Sequence, residues 1–239
     1  IFASDDLTIN GSGSLTITAG YKHGIEANDD LVITGGAISI DAARDAINVN
    51  DNLRICGADI TVKAKDDGLV VKTEETGYFY MESGNLQINA EDDGIHTAGD
   101  VTIAGGELTI SAGDDGIHSA TMITLLDGTL RIDECYEGLE AVFIDMYGGD
   151  VTIYPSDDGF NASGGSGSFM GFFGGTAAAS EDLPLLRITG GTVSGTDAGT
   201  YEAATGRYVL KVTSSLEEEA AQQYAVTSVT RSEEHTSEL

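Results

Sequence analysis

The sequence predicts an all-β chain folded as a right-handed parallel β-helix, a single-stranded solenoid of about 22 residues per turn with three faces. Three observations carry this. Small residues that precede an aliphatic or Phe, namely Gly24, Ala46, Gly68, Gly94, Gly116, Gly138 and Gly159, fall 22, 22, 26, 22, 22 and 21 residues apart. A fixed period in this range is the signature of a stacked-repeat architecture. Within each period lie three short apolar-x-apolar stretches, as in Val101-Thr102-Ile103, Leu108-Thr109-Ile110 and Gly116-Ile117-His118-Ser119. Stretches so short cannot pair inside their own repeat, so each must pair with its equivalent one period later, in parallel. Finally, Gly35-Gly36, Gly105-Gly106, Asp127-Gly128 and Gly148-Gly149 separate the first stretch from the second and supply the positive φ of a tight corner. Right-handedness follows from the usual hand of parallel crossovers.

The elements follow in chain order. The second stretch recurs as Leu15/Ile17, Ile38/Ile40, Ile60/Val62, Leu86/Ile88, Leu108/Ile110, Leu130/Ile132 and Val151/Ile153, each pair flanking Thr, Ser, Gln or Arg. Alternation of period two with β-branched residues buries one face. The third stretch stacks Ile25, Ile47, Leu69, Ile95, Ile117, Leu139 and Phe160 into an internal column. The period is broken between Thr73 and Gly77, where Glu74 and Glu75 join a protruding loop, and again at 163–184, a Gly/Ser tract carrying Phe169, Phe172 and Phe173. The Phe residues either fold down on the rod or stack on sugar rings. Leu186-Arg187-Ile188 with Gly190-Gly191 resumes the pattern, so the solenoid spans 1–194 with 163–184 as an insertion. In 195–230, Tyr208 to Val212 reads as a strand and Ser215-Leu216-Glu217-Glu218 has the spacing of a capping box opening a short helix to Ala225. Arg231 to Leu239 matches the translation of a sequencing adapter and reads as a disordered artefact; without its charge of -2 the chain carries -27. A leucine-rich horseshoe is excluded by the missing Asn ladder and helical segments.

Composition narrows the function. Asp+Glu 40 against Lys+Arg 11 gives a net charge of -29, which opposes binding to nucleic-acid phosphates or anionic lipid and favours cations or cation-bridged ligands. No apolar run reaches the length of a membrane span, and with neither signal peptide nor initiator Met the chain reads as a mature segment or internal fragment. Cys56 and Cys135 lie too far apart along the rod for a disulfide. A monomer is expected.

Aligning the turns turns sequence into rows. The two positions before the repeat glycine read Lys22-His23, Arg44-Asp45, Asp66-Asp67, Asp92-Asp93, Asp114-Asp115, Tyr136-Glu137 and Asp157-Asp158. Carboxylates facing one another at the ~4.8 Å strand spacing repel by about 3 kcal/mol at an effective dielectric near 20, so a counter-ion is expected between turns. Hard oxygen donors suit Ca²⁺, which makes Asp66, Asp67, Asp92, Asp93, Asp114, Asp115, Glu137, Asp157 and Asp158 the candidate ligands. Equally, Asp-Gly is a good turn dipeptide whose carboxylates stay solvated. The row two past the glycine reads Glu26, Asn48, Val70, His96, His118, Glu140 and Asn161, a polar strip beside the acidic column. His96, His118, Glu140 and Asn161, with Lys72, are candidates for holding a polymer. His96 and His118 can also share a transition metal, although their neighbours are oxygen ligands.

The repeated DDGI(H/N)A, the following (L/V)TI-x-GG-x-(L/V)TI and a Gly-rich insertion directly after Asp157-Asp158-Gly159-Phe160-Asn161-Ala162 resemble the clostridial-type carbohydrate-binding domain proteins over residues 5–194. The resemblance implies a β-helix similar in architecture to pectate lyases, calcium on the Asp pairs, an extracellular or cell-surface location, and binding of cellulose or polygalacturonate. Lys22-His23, Arg44-Asp45 and Tyr136-Glu137 depart from the pattern, and the rack is expected to be interrupted there.

Three functions follow. The first is non-catalytic, calcium-dependent polysaccharide binding. The second is a calcium-dependent lyase, which needs a basic residue near the metal; Lys72, Lys65, Lys22 and Arg44 are the available bases and none forms an identifiable catalytic motif. The third is a structural surface solenoid or adhesin.

Overall fold

Among the described residues up to Gly195, parallel ladders run from turn to turn because each apolar stretch pairs with its counterpart one turn on. The structure, a computed structural model, describes residues 1–74, 76–162 and 185–195, with short strands at 201–202, 207–208 and 229–231. Among the described residues all regular structure is β, and no helix is long and apolar enough to cross a membrane. About seven turns stack into a β-solenoid.

The third face is the simplest. Phe2–Ala3, Ile25–Ala27, Ile47–Val49, Leu69–Val71, Ile95–Thr97, Ile117–Ser119, Leu139–Ala141 and Phe160–Ala162 form one sheet with each strand hydrogen-bonded to the next turn. The predicted column is in register: Ile25 faces Ile47, then Leu69, Ile95, Ile117, Leu139 and Phe160. All seven are buried. The longer turn is absorbed outside the ladder, since Leu69 still opposes Ile95, and the loop keeps a local bond from the Thr76 N–H to the Glu74 carbonyl at 2.7 Å.

The other two faces depart from the expected pattern of separate short strands. In two turns they fuse into single strands, Asn52–Ala64 and Tyr78–Ala90, which join both faces in one large sheet. The corner is then a bulge inside a continuous strand, with Gly84 at φ +106° and register shifts between Met81, Ser83 and Gly84. Elsewhere the expected glycine corner holds: Gly106 and Gly128 have φ of +91° and +99°, a region an L side chain seldom adopts.

Beyond the insertion, Leu185–Ile188 and Thr192–Gly195 extend the two faces by another rung. Past Gly195, Val229–Arg231 pairs in parallel with Thr192–Gly195, so Arg231, the first residue of the adapter-like tail, closes a strand. Tyr208 lies in the strand Arg207–Tyr208, antiparallel to Tyr201–Glu202. The expected helix from Ser215, the insertion at 163–184 with its three Phe residues, and the tail from 232 onward lie outside the described residues.

Candidate functional site

The acidic column forms because the glycine after each Asp pair is locked between turns. The Gly68 N–H donates to the Asp93 carbonyl, Gly94 to Asp115, Gly116 to Glu137 and Gly138 to Asp158, all at 2.8–2.9 Å. Gly94 has no room for a side chain: a Cβ there would lie 2.5 Å from the Gly116 carbonyl oxygen and 2.5 Å from Ile110 Cγ2. One rung per turn therefore sets each Asp pair above the next.

The pair splits into two rows with different environments. The outer row holds Asp66, Asp92, Asp114 and Asp157, with Asp92 and Asp114 exposed. The inner row holds Asp67, Asp93, Asp115, Glu137 and Asp158; Asp93, Asp115 and Asp158 are 6%, 5% and 1% exposed. Inner carboxylates are stitched to the neighbouring backbone. The Asp93 N–H donates to Asp67 Oδ1 at 3.1 Å and the Asp115 N–H to Asp93 Oδ1 at 3.0 Å. Asp67 is pushed up to about 7 by burial and then by the charge of Asp93. Asp115 is pushed up to about 7 by burial, with Glu140 adding to the effect. Asp92 and Asp114 are raised by partial desolvation and by neighbouring carboxylates.

The rack is interrupted mainly in its outer row; in the inner row only the first turn departs, with His23 in place of an acid. Lys22, Arg44 and Tyr136 replace outer acids, whereas the inner row continues through buried Asp45, which lies 3.0 Å from His23 Nδ1 and accepts from Asn48 at 2.5 Å. Arg44 closes the outer row with charge, its Nε donating to Asp66 Oδ2 at 2.8 Å.

Along the column the oxygen-only groups include Asp66–Asp67–Asp92 and Asp92–Asp93–Asp114, each with one oxygen per residue inside a 4.8 Å cluster. Asp92 belongs to both. Such donor sets fit a hard cation. Two further groups, Asp93–His96–His118 and Asp115–His118–Glu140, mix nitrogen with oxygen.

The row beside the column is less solvated than a free polar strip. Asn48, Val70 and Asn161 are buried, and His96, His118 and Glu140 half-buried, because the inner acids fold over it at a spacing of three residues. His96 Nδ1 lies 2.7 Å from Asp93 Oδ2; His118 Nδ1 lies 3.5 Å from Asp115 Oδ2 and 3.4 Å from Glu140 Oε2. The two imidazoles stack with centroids 4.8 Å apart. Their pKa values are raised, chiefly by the adjoining carboxylates of Asp93 for His96 and Asp115 for His118. Asn161 donates to Glu137 Oε2 at 2.6 Å, which ties that inner acid to this row. Lys72 stands apart, exposed just past Leu69–Val71, at the opposite end of that strand from Asp66 and Asp67. Lys65 and Lys22 are exposed, and Cys56 and Cys135 are free thiols.

A second acidic corner went unnoticed in the sequence. Asp5, Asp6 and Asp29 cluster where the third face turns into the first. Asp30 N–H donates to Asp6 Oδ1 at 3.2 Å, and Asn52 Nδ2 to Asp30 Oδ1 at 2.8 Å. Its signal was the recurrence of Asp5-Asp6-Leu7, Asp29-Asp30-Leu31 and Asp51-Asn52-Leu53, overshadowed by the glycine-aligned pairs.

A carbohydrate-binding domain-containing protein from Acetivibrio thermocellus is 46% identical over 106 residues, 43% of this chain and 37% of the relative. The match thus spans well under half the length of that curated relative. No solved structure matches the chain. A family model described as carbohydrate-binding domain-containing protein matches residues 1–159, well over half of the sequence, and the chain belongs to that family.

Proposed function

We propose that the chain is a non-catalytic polysaccharide-binding solenoid of the cell surface or extracellular space whose acidic rack takes Ca²⁺ and, through it, acidic polymers such as polygalacturonate. The observation that supports this reading is the pair of oxygen-only clusters, Asp66–Asp67–Asp92 and Asp92–Asp93–Asp114, lined up on consecutive turns. The exposed outer acids Asp92 and Asp114 leave ligand positions facing solvent, where a uronate carboxylate would complete the coordination. Asp157, Asp158 and Glu137 would extend the rack toward the insertion.

Charge reversal is the mechanism. A surface of this net charge repels an anionic polymer, and calcium supplies the positive charge that both sets of carboxylates need. Neutral cellulose depends instead on hydrogen bonds and stacking, so it should lose less on chelation. The family supports carbohydrate binding in general terms. Of the candidate bases, Lys72 lies past the far end of its strand from Asp66 and Asp67, and Arg44 is already paired with Asp66.

The test is retention of the full chain on immobilised polygalacturonate, with calcium and with chelator, while ultraviolet absorbance is followed for unsaturated products. Calcium-dependent retention without absorbance is expected. Rising absorbance would mean a lyase, and no retention in either buffer would leave a structural solenoid.

A further inference from the structure

We propose that Asp115, His118 and Glu140 form a second kind of cation site, one for a borderline divalent transition ion of the Zn²⁺ class, which takes Asp115 from the inner row but shares no residue with the oxygen-only clusters Asp66–Asp67–Asp92 and Asp92–Asp93–Asp114. Register puts these residues together: His118 faces Glu140 directly on adjacent turns, and Asp115 lies three residues before His118. The distances decide the chemistry. His118 Nδ1 stands 3.5 Å from Asp115 Oδ2 and 3.4 Å from Glu140 Oε2. Both exceed the usual N–H···O range of ~2.7–3.2 Å. They match the ~3.3 Å edge of a tetrahedron built on metal–ligand bonds of ~2.0–2.1 Å.

His96 takes a different role. Its Nδ1 is at hydrogen-bond distance, 2.7 Å, from Asp93 Oδ2, and its ring stacks on that of His118 at 4.8 Å. It therefore positions the His118 ring rather than supplying a ligand. Three protein ligands then leave a fourth position open on the solvent side, since the His118 side chain is 32% exposed. Water or a sugar hydroxyl fits that position. An imidazole ligand selects against Ca²⁺, which takes oxygen almost exclusively, so the two sites should be filled by different ions. This inference stands whether or not the polymer is a uronate.

Co²⁺ is the probe, titrated into the full chain in a large excess of Ca²⁺ and followed by its visible d–d absorption. Saturation at one ion per chain is expected, with displacement by Zn²⁺. His118→Gln and Glu140→Gln should each weaken Co²⁺ binding by at least about tenfold, and Asp66→Asn should leave it unchanged. Circular dichroism of the variants checks that they fold. Loss of the Co²⁺ spectrum on adding Ca²⁺, or its retention in both variants, would overturn the site. Loss in His118→Gln with full retention in Glu140→Gln would overturn the assigned ligand set in favour of Asp93–His96–His118.

Discussion

The backbone N–H of Asp115 donates to the carboxylate of Asp93 one turn away, at 3.0 Å. The same carboxylate meets His96 through its other oxygen, at 2.7 Å. A buried acid on the inner row is thus satisfied on both oxygens by the protein itself, and its burial alone does not call for an ion. In the outer row Asp92 and Asp114 are exposed, and there an added cation would reach the carboxylates directly from solvent.

This division predicts how Asp93 variants behave. Asp93→Ala removes the acceptor of the Asp115 N–H and the partner of His96, leaving a buried donor unsatisfied, which costs about 1–3 kcal/mol. Asp93→Asn keeps an amide oxygen for the Asp115 N–H. Urea melts in chelator should therefore rank wild type above Asp93→Asn and Asp93→Asn above Asp93→Ala; equal losses in the two variants would show that the backbone bond contributes little.

Asp92 should dominate the calcium response of the column because it belongs to both Asp66–Asp67–Asp92 and Asp92–Asp93–Asp114. A ligand at a hundred times its Kd stabilises the folded state by about 2.7 kcal/mol per site. Asp92→Asn should abolish most of the calcium-induced rise in Tm, whereas Asp66→Asn, which touches one cluster and also frees Arg44, should remove part of it. Differential scanning calorimetry with and without calcium reads both.

Much of this was legible in the residues, and the reasons are physical. The glycine period fixed the rows because a Cβ at Gly94 would meet the next turn's carbonyl, so register could not drift. The column from Ile25 to Phe160 followed directly. The fused strands Asn52–Ala64 and Tyr78–Ala90 were not legible, because Gly57 and Gly84 mark a corner in sequence whether the ladder stops there or bends through it. Nor was the sharing of Asp115 between rack and imidazole row. That depends on side chains folding back over three residues, which a row-by-row alignment does not register.

Gly94→Ala or Gly116→Ala places a methyl 2.5–2.6 Å from the next glycine's carbonyl oxygen and about as close to an Ile side chain, so either should destabilise the solenoid by about 1–3 kcal/mol or more. Gly13→Ala is the control, since nothing lies within 4 Å of its Cβ and its φ is not positive. Thermal melts should show a clear drop for the first two and none for the third.

Metal-free stability should rise in mild acid. Asp67 and Asp115 are both pushed up to about 7 from 3.8, chiefly by burial, so between those values the folded chain holds protons that the unfolded chain has released. Unfolding then becomes easier as pH rises through that window, and the stabilising contribution is complete below 3.8 and gone above about 7. His96 and His118 act in the same direction: their raised values favour the folded state below 6.5 and lose that advantage as pH climbs through the folded values. In chelator, Tm should therefore be higher at mildly acidic than at mildly alkaline pH, with most of the change below neutrality and a smaller share just above it from the imidazoles. Calcium should flatten the profile by replacing protons as the neutralising charge at high pH. A chelated protein whose Tm falls on mild acidification would show instead that the inner carboxylates are held ionised by the fold.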